Sequence, residues 1–212
     1  MCFSLQASLI SSISLFGISM LYIPKLWPKK TRLIAIIPII FALQQACEAI
    51  IWHYKSLQSY STIATASAYL FIFFAYIFWP IWVPFSLYYA EKNPSRKQLL
   101  LASLSCGILI SMLLLCLIIF YPIDYCLLCT NIIYSSKAPT LLYFPIAILY
   151  SIATIFSWIF SSVKYMWIMG LLLLLSYAIS FWFYLYAFTS VWCFFAAINS
   201  LSLYLFLDEE NL

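Results

Sequence analysis

Two amides, a carboxyl group and an imidazole lie inside a strongly apolar stretch, FALQQACEAIIWHY, residues 41–54. They are Gln44, Gln45, Glu48 and the only histidine of the chain, His53. On a helix, the two glutamines lie one turn before Glu48, so the three polar groups share one broad face. Two carboxamides beside a carboxyl group can hold a proton or a small ligand through hydrogen bonds.

Two interpretations of this polar face remain open. In the first, Glu48 is protonated or hydrogen-bonded, and the glutamines join their helix to its neighbours through bonds worth about 0.6 kcal/mol each. In the second, the three groups line a pocket that opens to the outer side of a membrane. We favour the second interpretation, because three polar groups within five residues, one of them ionisable, exceed what helix packing needs.

Three further residues are candidates for the same pocket. Trp52 follows Glu48 by four residues and extends its face. His53 ends the apolar stretch, where a histidine is commonly an amphipathic residue at the water line. Asn199, in INSLS, lies near the middle of the last apolar stretch. It is a plausible polar partner for Glu48, although a lone intramembrane asparagine commonly bonds one helix to another.

A second unusual segment is FFAYIFWPIWVPFS, residues 73–86. Pro80 and Pro84 each leave a backbone carbonyl without its helical partner, and such a carbonyl can serve a pocket. Trp79 and Trp82 could form the walls of that pocket. The alternative is that these aromatic residues only pack and anchor the helix near the membrane surface.

The residues that are missing argue against several enzyme classes. One histidine cannot build a three-histidine zinc site, and three glycines provide no phosphate-binding loop. GxSxG, HExxH and a pair of intramembrane carboxyl groups are also lacking. The sequence therefore predicts no catalytic set, no metal site and no identifiable cofactor, and intramembrane catalysis ranks third among the functions considered.

The elements that must position these residues are membrane-spanning helices. Of 212 residues, 67% are hydrophobic and 8% are charged, whereas soluble domains carry about 25% charged residues. Apolar runs of about 20 residues match the thickness of a bilayer. We place seven spans at residues 4–24, 33–53, 66–90, 99–121, 140–162, 165–187 and 190–207. The prediction is an all-α, polytopic bundle that forms one domain over residues 1–212.

Three details of this prediction concern single segments of the chain. The third span is long and carries Pro80 and Pro84, so we expect it to be kinked or tilted. The longest connection, residues 122–139, is expected to be only a loop. The boundary between the sixth and seventh spans is placed near Phe188.

The basic residues predict the orientation of the bundle. Eight of the ten follow the first, third and fifth spans: Lys25, Lys29, Lys30, Arg32, Lys92, Arg96, Lys97 and Lys164. The positive-inside rule places this side in the cytoplasm. The N-terminus is therefore predicted outside and the C-terminus inside, in a multi-pass protein of the inner (plasma) membrane whose main partner is the lipid bilayer.

Four of the seven cysteines then share the outer side: Cys2, Cys126, Cys129 and Cys193. Disulfides form in the oxidising cell envelope, and we expect Cys2 to pair with Cys193 across the ends of the first and last spans. Cys126 and Cys129 are rivals for either thiol. Their CxxC spacing also allows a redox or metal pair, although a closed zinc site needs four ligands.

Several short motifs together resemble one uncharacterised prokaryotic family of small multispan membrane proteins. They are the opening Met-Cys-Phe-Ser, QQxxE with Trp52, FFAYxxWPxWVPxS, and VWCFFAA. Ala49 stands where that family usually has glycine after the glutamate. The resemblance implies that Cys2, the glutamine–glutamate group, the WPxW element and Cys193 belong to one shared site. It implies no activity, substrate or cofactor.

From these observations we expect a membrane protein that binds or transports a small ligand from its outer face. Glu48 would be the ionisable centre, with the glutamines and Asn199 as polar lining and tryptophans as walls. The alternative is a non-catalytic structural or assembly subunit in which the same groups only join helices.

Overall fold

The computed structural model describes residues 4–27, 29–56, 61–128 and 131–208. Seven helices in this part of the chain are long and apolar enough to cross a membrane, as predicted. They are α1 (Leu5–Leu26), α2 (Arg32–Tyr54), α3 (Thr62–Ala90), α4 (Pro94–Phe120), α5 (Thr140–Phe160), α6 (Met166–Phe183) and α7 (Leu185–Leu207).

Helix α3 changes its hydrogen-bonding pattern where the sequence predicts a kink. It is α-helical over Thr62–Ile72, π-helical over Phe73–Phe78 and α-helical again over Trp79–Ala90. The wider π-turns lie directly before Pro80, whose ring would clash with a carbonyl of a regular helix and which has no N–H to donate.

Neighbouring helices supply donors to the carbonyls of this wide segment. The Ser111 hydroxyl of α4 donates to the Ile77 carbonyl at 2.9 Å. The Tyr150 hydroxyl of α5 donates to the Ala75 carbonyl. A backbone carbonyl that faces lipid has no hydrogen-bond partner. These two bonds supply partners for two carbonyls of the π-helical segment, and they join α4 and α5 to α3.

A glycine allows α4 to approach α3 closely. A Cβ atom at Gly107 would lie 1.8 Å from the carbonyl oxygen of Pro80. Only a residue without a side chain fits there, so the two backbones touch directly. The second half of α3 is held in place by this contact.

The connection between α4 and α5 is more ordered than predicted. It contains two antiparallel strands, β1 (Asp124–Leu128) and β2 (Asn131–Ser135), with Cys126 opposite Ile133. The expectation of a simple loop is wrong because the alternation in the sequence buries one face of β2. Ile132 is fully buried, where it packs with Ile51 of α2 and Ala68 of α3.

The break between the last two spans also differs from the prediction. Helix α6 ends at Phe183, and α7 begins with a 3₁₀ turn over Leu185–Ala187. The predicted boundary near Phe188 is therefore about four residues late. The run of aromatic residues on both sides hides this turn, since it lacks glycine and proline.

The end of the bundle that carries most basic residues is also rich in tyrosine. The Arg32 guanidinium donates to the Tyr89 hydroxyl at 3.0 Å. The Lys97 ammonium lies 4.7 Å from the ring centre of Tyr88. We call this the basic end, and the hairpin end lies opposite. Amphipathic rings beside cations are typical of a membrane–water boundary.

Glu91 fastens two loops together at the basic end. Its carboxylate accepts bonds from the Lys92 and Asn93 amides at 2.9 Å, from the Ser162 amide at 2.6 Å and from the Ser161 and Ser162 hydroxyls. Burial opposes the charged form, but these bonds outweigh it and hold the pKa of Glu91 below its ordinary value. The α3–α4 and α5–α6 connections are thus joined by one side chain.

Candidate functional site

The polar face of α2 lies inside the bundle. Gln44 and Gln45 are fully buried and Glu48 is 2% exposed. Their apolar neighbours on the other side of the helix, such as Leu43 and Ile50, are exposed. This division follows from the cost of placing amides and a carboxyl group against hydrocarbon.

Gln44 is oriented by a tryptophan of α3. The indole Nε1 of Trp79 donates to Gln44 Oε1 at 2.7 Å. An indole nitrogen is only a donor, so this contact requires the amide oxygen and turns the amide nitrogen the other way. The Cys193 thiol on α7 lies beside this amide.

Gln45 is joined to α1 by a serine. The Ser11 hydroxyl lies 3.3 Å from Gln45 Oε1 and 3.0 Å from the carbonyl of Ser8. A hydroxyl has one hydrogen to donate, so these two acceptors share it. One turn of α1 thus reaches the same polar face of α2.

Glu48 is approached from α7 and from the hairpin. The Ser190 hydroxyl of α7 lies at hydrogen-bonding range of its carboxyl group. The phenol of Tyr134, on β2, is an electrostatic neighbour of both Glu48 and Cys193. The Tyr134 ring stacks flat on Phe71 of α3, with ring centres 5.0 Å apart. The hairpin therefore delivers a hydroxyl into the bundle.

Burial keeps this phenol in its neutral form. It raises the pKa of Tyr134 well above the ordinary value, and the nearby Glu48 carboxyl raises it further. The Tyr134 side chain is consequently a permanent O–H donor. We call Gln44, Gln45, Glu48, Tyr134 and Ser190 the Glu48 cluster.

Four atoms of the Glu48 cluster are buried without a hydrogen-bond partner among the described residues. They are Gln44 Nε2, Gln45 Nε2, Glu48 Oε1 and the Tyr134 hydroxyl. Leaving one such group unsatisfied costs about 1–3 kcal/mol. Four in one place form a set of donors and an acceptor that a bound molecule could satisfy together.

A cavity of about 40 Å³ lies beside the cluster. Its lining comes from helices α2, α3, α5, α6 and α7: Ile37, Phe41, Trp79, Val83, Tyr150, Thr154, Trp158, Met169, Leu173, Trp192, Cys193 and Ala196. We call it the tryptophan cavity. This volume is large enough for a water molecule, and the lining is almost entirely apolar.

The tryptophan cavity touches the Glu48 cluster at two places. Trp79 and Cys193 both line the cavity, and both contact Gln44. Glu48 itself is not among the lining residues. Cys193 is also an electrostatic neighbour of Glu48, so it links the carboxyl group to the cavity lining.

The other predicted site residues lie around this centre or away from it. Trp52 is half-buried and packs with the cluster of Ile51 and Ile132 under the hairpin. His53 lies at the exposed end of α2, with its ring centre 5.6 Å from that of Tyr54.

Two predicted pocket residues serve other contacts. Trp82 stacks on Phe78 with ring centres 5.2 Å apart and does not line the cavity. The Asn199 amide donates to the Ser176 hydroxyl at 2.8 Å, joining α7 to α6. Asn199 lies nine residues after Ser190, about 13 Å further along α7. The structure does not bring Trp82 or Asn199 to Glu48.

Four residues of the Glu48 cluster or the tryptophan cavity were not predicted from the sequence: Tyr134, Ser190, Trp158 and Trp192. The signal for Tyr134 was available, because Ile132 and Tyr134 are two residues apart and share one face of a strand. Ser190 and the two tryptophans carried no such signal. Their positions depend on how α5 and α7 pack against α2.

The cysteines differ from their predicted arrangement. Cys193 is a free, buried thiol more than two turns inside α7, rather than a residue at the outer surface. Cys126 is free and exposed. Cys2 and Cys129 lie outside the described residues. The described residues contain no disulfide, and no group of three or more histidine, cysteine or acidic side chains in that part of the chain could hold a metal ion.

Comparison with known proteins gives a family but no activity. No curated protein and no solved structure matches the chain. A profile described as a family of unknown function, DUF6629, matches residues 1–211. This match agrees with the family resemblance inferred from the motifs. The chain belongs to the family of unknown function DUF6629.

Proposed function

We propose that this protein is a multi-pass protein of the plasma membrane that binds, and in the course of its function moves, a small ligand at the Glu48 cluster. The N-terminus and the hairpin would face outward, and the basic end would face the cytoplasm. Seven apolar helices and the collection of eight basic residues at one end support this placement.

The observation that carries the proposal is the group of four unpartnered buried atoms. A protein that only joined helices would gain stability by bonding these groups to one another or by replacing them with apolar residues. Gln44 shows the difference clearly, since its oxygen is held by Trp79 while its nitrogen is left without a partner. This orientation leaves an amide donor unpartnered next to the Glu48 carboxyl group.

The position of the cluster favours an outer entrance. Tyr134 belongs to the hairpin, and Ile132 on the same strand is wedged between α2 and α3. The hairpin therefore covers the polar face of α2 at the end opposite the basic loops. A ligand would reach Glu48 past the hairpin and Trp52.

Labelling with a carbodiimide tests whether Glu48 is chemically reachable. Dicyclohexylcarbodiimide dissolves in lipid and reacts with protonated carboxyl groups. Protein in lipid nanodiscs would be treated with the reagent and mapped by mass spectrometry. We expect modification at Glu48, none at the corresponding peptide of Glu48→Gln, and little at Glu91, whose low pKa keeps it ionised. A Glu48 that stays unmodified under all conditions would contradict a reachable site.

One observation favours a second candidate, a structural or assembly subunit. The Asn199–Ser176 and Ser11–Gln45 contacts show polar groups that simply join helices. Under this alternative, Glu48→Leu would keep or raise the stability of the bundle. Under the proposed function, Glu48→Gln should preserve folding better than Glu48→Leu, because glutamine retains the hydrogen bonds without the charge.

A further inference from the structure

We infer that the ligand of the Glu48 cluster is a small organic ammonium ion. Its cationic head would lie at the Glu48 carboxylate, and its carbon substituents would enter the tryptophan cavity. This inference rests on the proposed function and adds the chemical class of the ligand. It follows from the charge around Glu48, the walls of the cavity and the contact between the two.

The described side chains around Glu48 include no positive charge that could neutralise its carboxylate. The described side chains of the cluster are uncharged: Gln44, Gln45, Tyr134 and Ser190. A carboxylate buried without a partner is costly inside a membrane, so it must be neutralised by a proton or by a bound cation. Glu48 Oε1 is the free acceptor that such a cation would meet.

The walls of the cavity favour carbon groups that carry partial positive charge. Five of the lining residues are aromatic, and three of them are tryptophans contributed by α3, α5 and α7: Phe41, Trp79, Tyr150, Trp158 and Trp192. Tryptophan is the best cation–π partner, and alkyl groups on a charged nitrogen share its positive charge. An inorganic ion would gain nothing from these walls, because the lining offers almost no oxygen ligands.

The positions of the Glu48 carboxyl group and the tryptophan cavity set the shape of the ligand. Cys193, an electrostatic neighbour of Glu48, and Gln44, which Trp79 holds, form a layer of side chains that links the carboxyl group to the cavity lining. A molecule that spans this layer has its charge and its carbon groups a few ångströms apart. The volume of about 40 Å³ favours short substituents such as N-methyl groups over long chains.

Tryptophan fluorescence of the protein in lipid nanodiscs tests the inference. Tetramethylammonium chloride would be titrated at constant ionic strength, with sodium chloride and the neutral tert-butanol, a molecule of similar shape, as controls. We expect a saturable change with tetramethylammonium alone. Glu48 supplies the only negative charge of the cluster among the described residues, so Glu48→Gln should weaken tetramethylammonium binding about tenfold or more.

A second readout keeps the test decisive if Glu48→Gln folds poorly. In the wild-type protein, tetramethylammonium should slow carbodiimide labelling of Glu48, and sodium should not. Equal binding of tert-butanol, or no saturable change and no protection by tetramethylammonium, would overturn the ammonium inference. If Glu48 is nevertheless labelled in that case, the site stands and its ligand is of another class. If Glu48 is never labelled, the proposed function fails as well.

Discussion

The indole nitrogen of Trp79 donates a hydrogen bond to the side-chain oxygen of Gln44 at 2.7 Å, inside a bundle where both residues are buried. This single contact joins α3 to α2 and fixes which end of the amide faces the Glu48 cluster. It also lies on the wall of the tryptophan cavity. The Glu48 cluster and the tryptophan cavity are therefore both positioned by this pair of residues.

Replacing Trp79 by phenylalanine should release Gln44. The variant leaves Gln44 Oε1 buried without its donor, so we expect a loss of about 1–3 kcal/mol in the free energy of unfolding. Trp82→Phe is the matched control on the same helix, since Trp82 Nε1 has no partner in the described residues. Thermal unfolding in detergent should show a clearly lower midpoint for Trp79→Phe. Equal midpoints for the two variants would mean that the bond contributes nothing.

Gly107→Ala should disrupt the contact between α4 and α3. The new Cβ would lie 1.8 Å from the Pro80 carbonyl oxygen, so the two helices must move apart. We expect a loss of about 1–3 kcal/mol, as for overpacked cores. At Gly17 a Cβ meets nothing within 4 Å, and Gly17→Ala should be neutral or slightly stabilising. Similar unfolding midpoints of the two variants would argue against a tight α3–α4 contact.

The hairpin should depend on one face of its second strand. Ile132→Ala removes a fully buried side chain between α2 and α3, and we expect a loss of about 2–5 kcal/mol. Ile133→Ala changes a partly exposed neighbour and should cost less. Limited proteolysis within β1 and β2 can report the change directly. A hairpin that resists cleavage equally in both variants would contradict its docking through Ile132.

Glu91 should make stability depend on pH in the acid range. Its folded-state pKa is lower than the ordinary value of 4.5, so its contribution is present above that value and lost as the pH falls through the folded pKa. Glu91→Gln should lower the free energy of unfolding by about 1–3 kcal/mol near neutral pH and flatten its fall in acid. The exposed Asp124→Asn is the control. Unchanged pH dependence in Glu91→Gln would exclude this role.

The seven helices and the polar face of α2 could be predicted because both follow from local composition. Spans of apolar residues and the spacing of Gln44, Gln45 and Glu48 are properties of one segment at a time. The wide turns of α3 were also signalled locally, by Pro80.

The rest of the site depends on long-range packing. Trp192 and Ser190 reach the α2 face only because α7 lies beside it, and no pattern within α7 indicates which residues do so. Asn199 illustrates the converse, since its polar side chain suggested a pocket and instead bonds α6. The buried position of Cys193 likewise follows from where α7 begins, at the turn that the aromatic run conceals.

A high-resolution density map of the protein in lipid nanodiscs with tetramethylammonium tests the central claim most directly. We predict non-protein density beside Glu48 Oε1, at an ion-pair distance of about 4 Å, that extends toward the tryptophan cavity and is lost in Glu48→Gln. A map in which Glu48 Oε1 and Gln44 Nε2 bond only to protein side chains, with no density between them and the cavity, would contradict it.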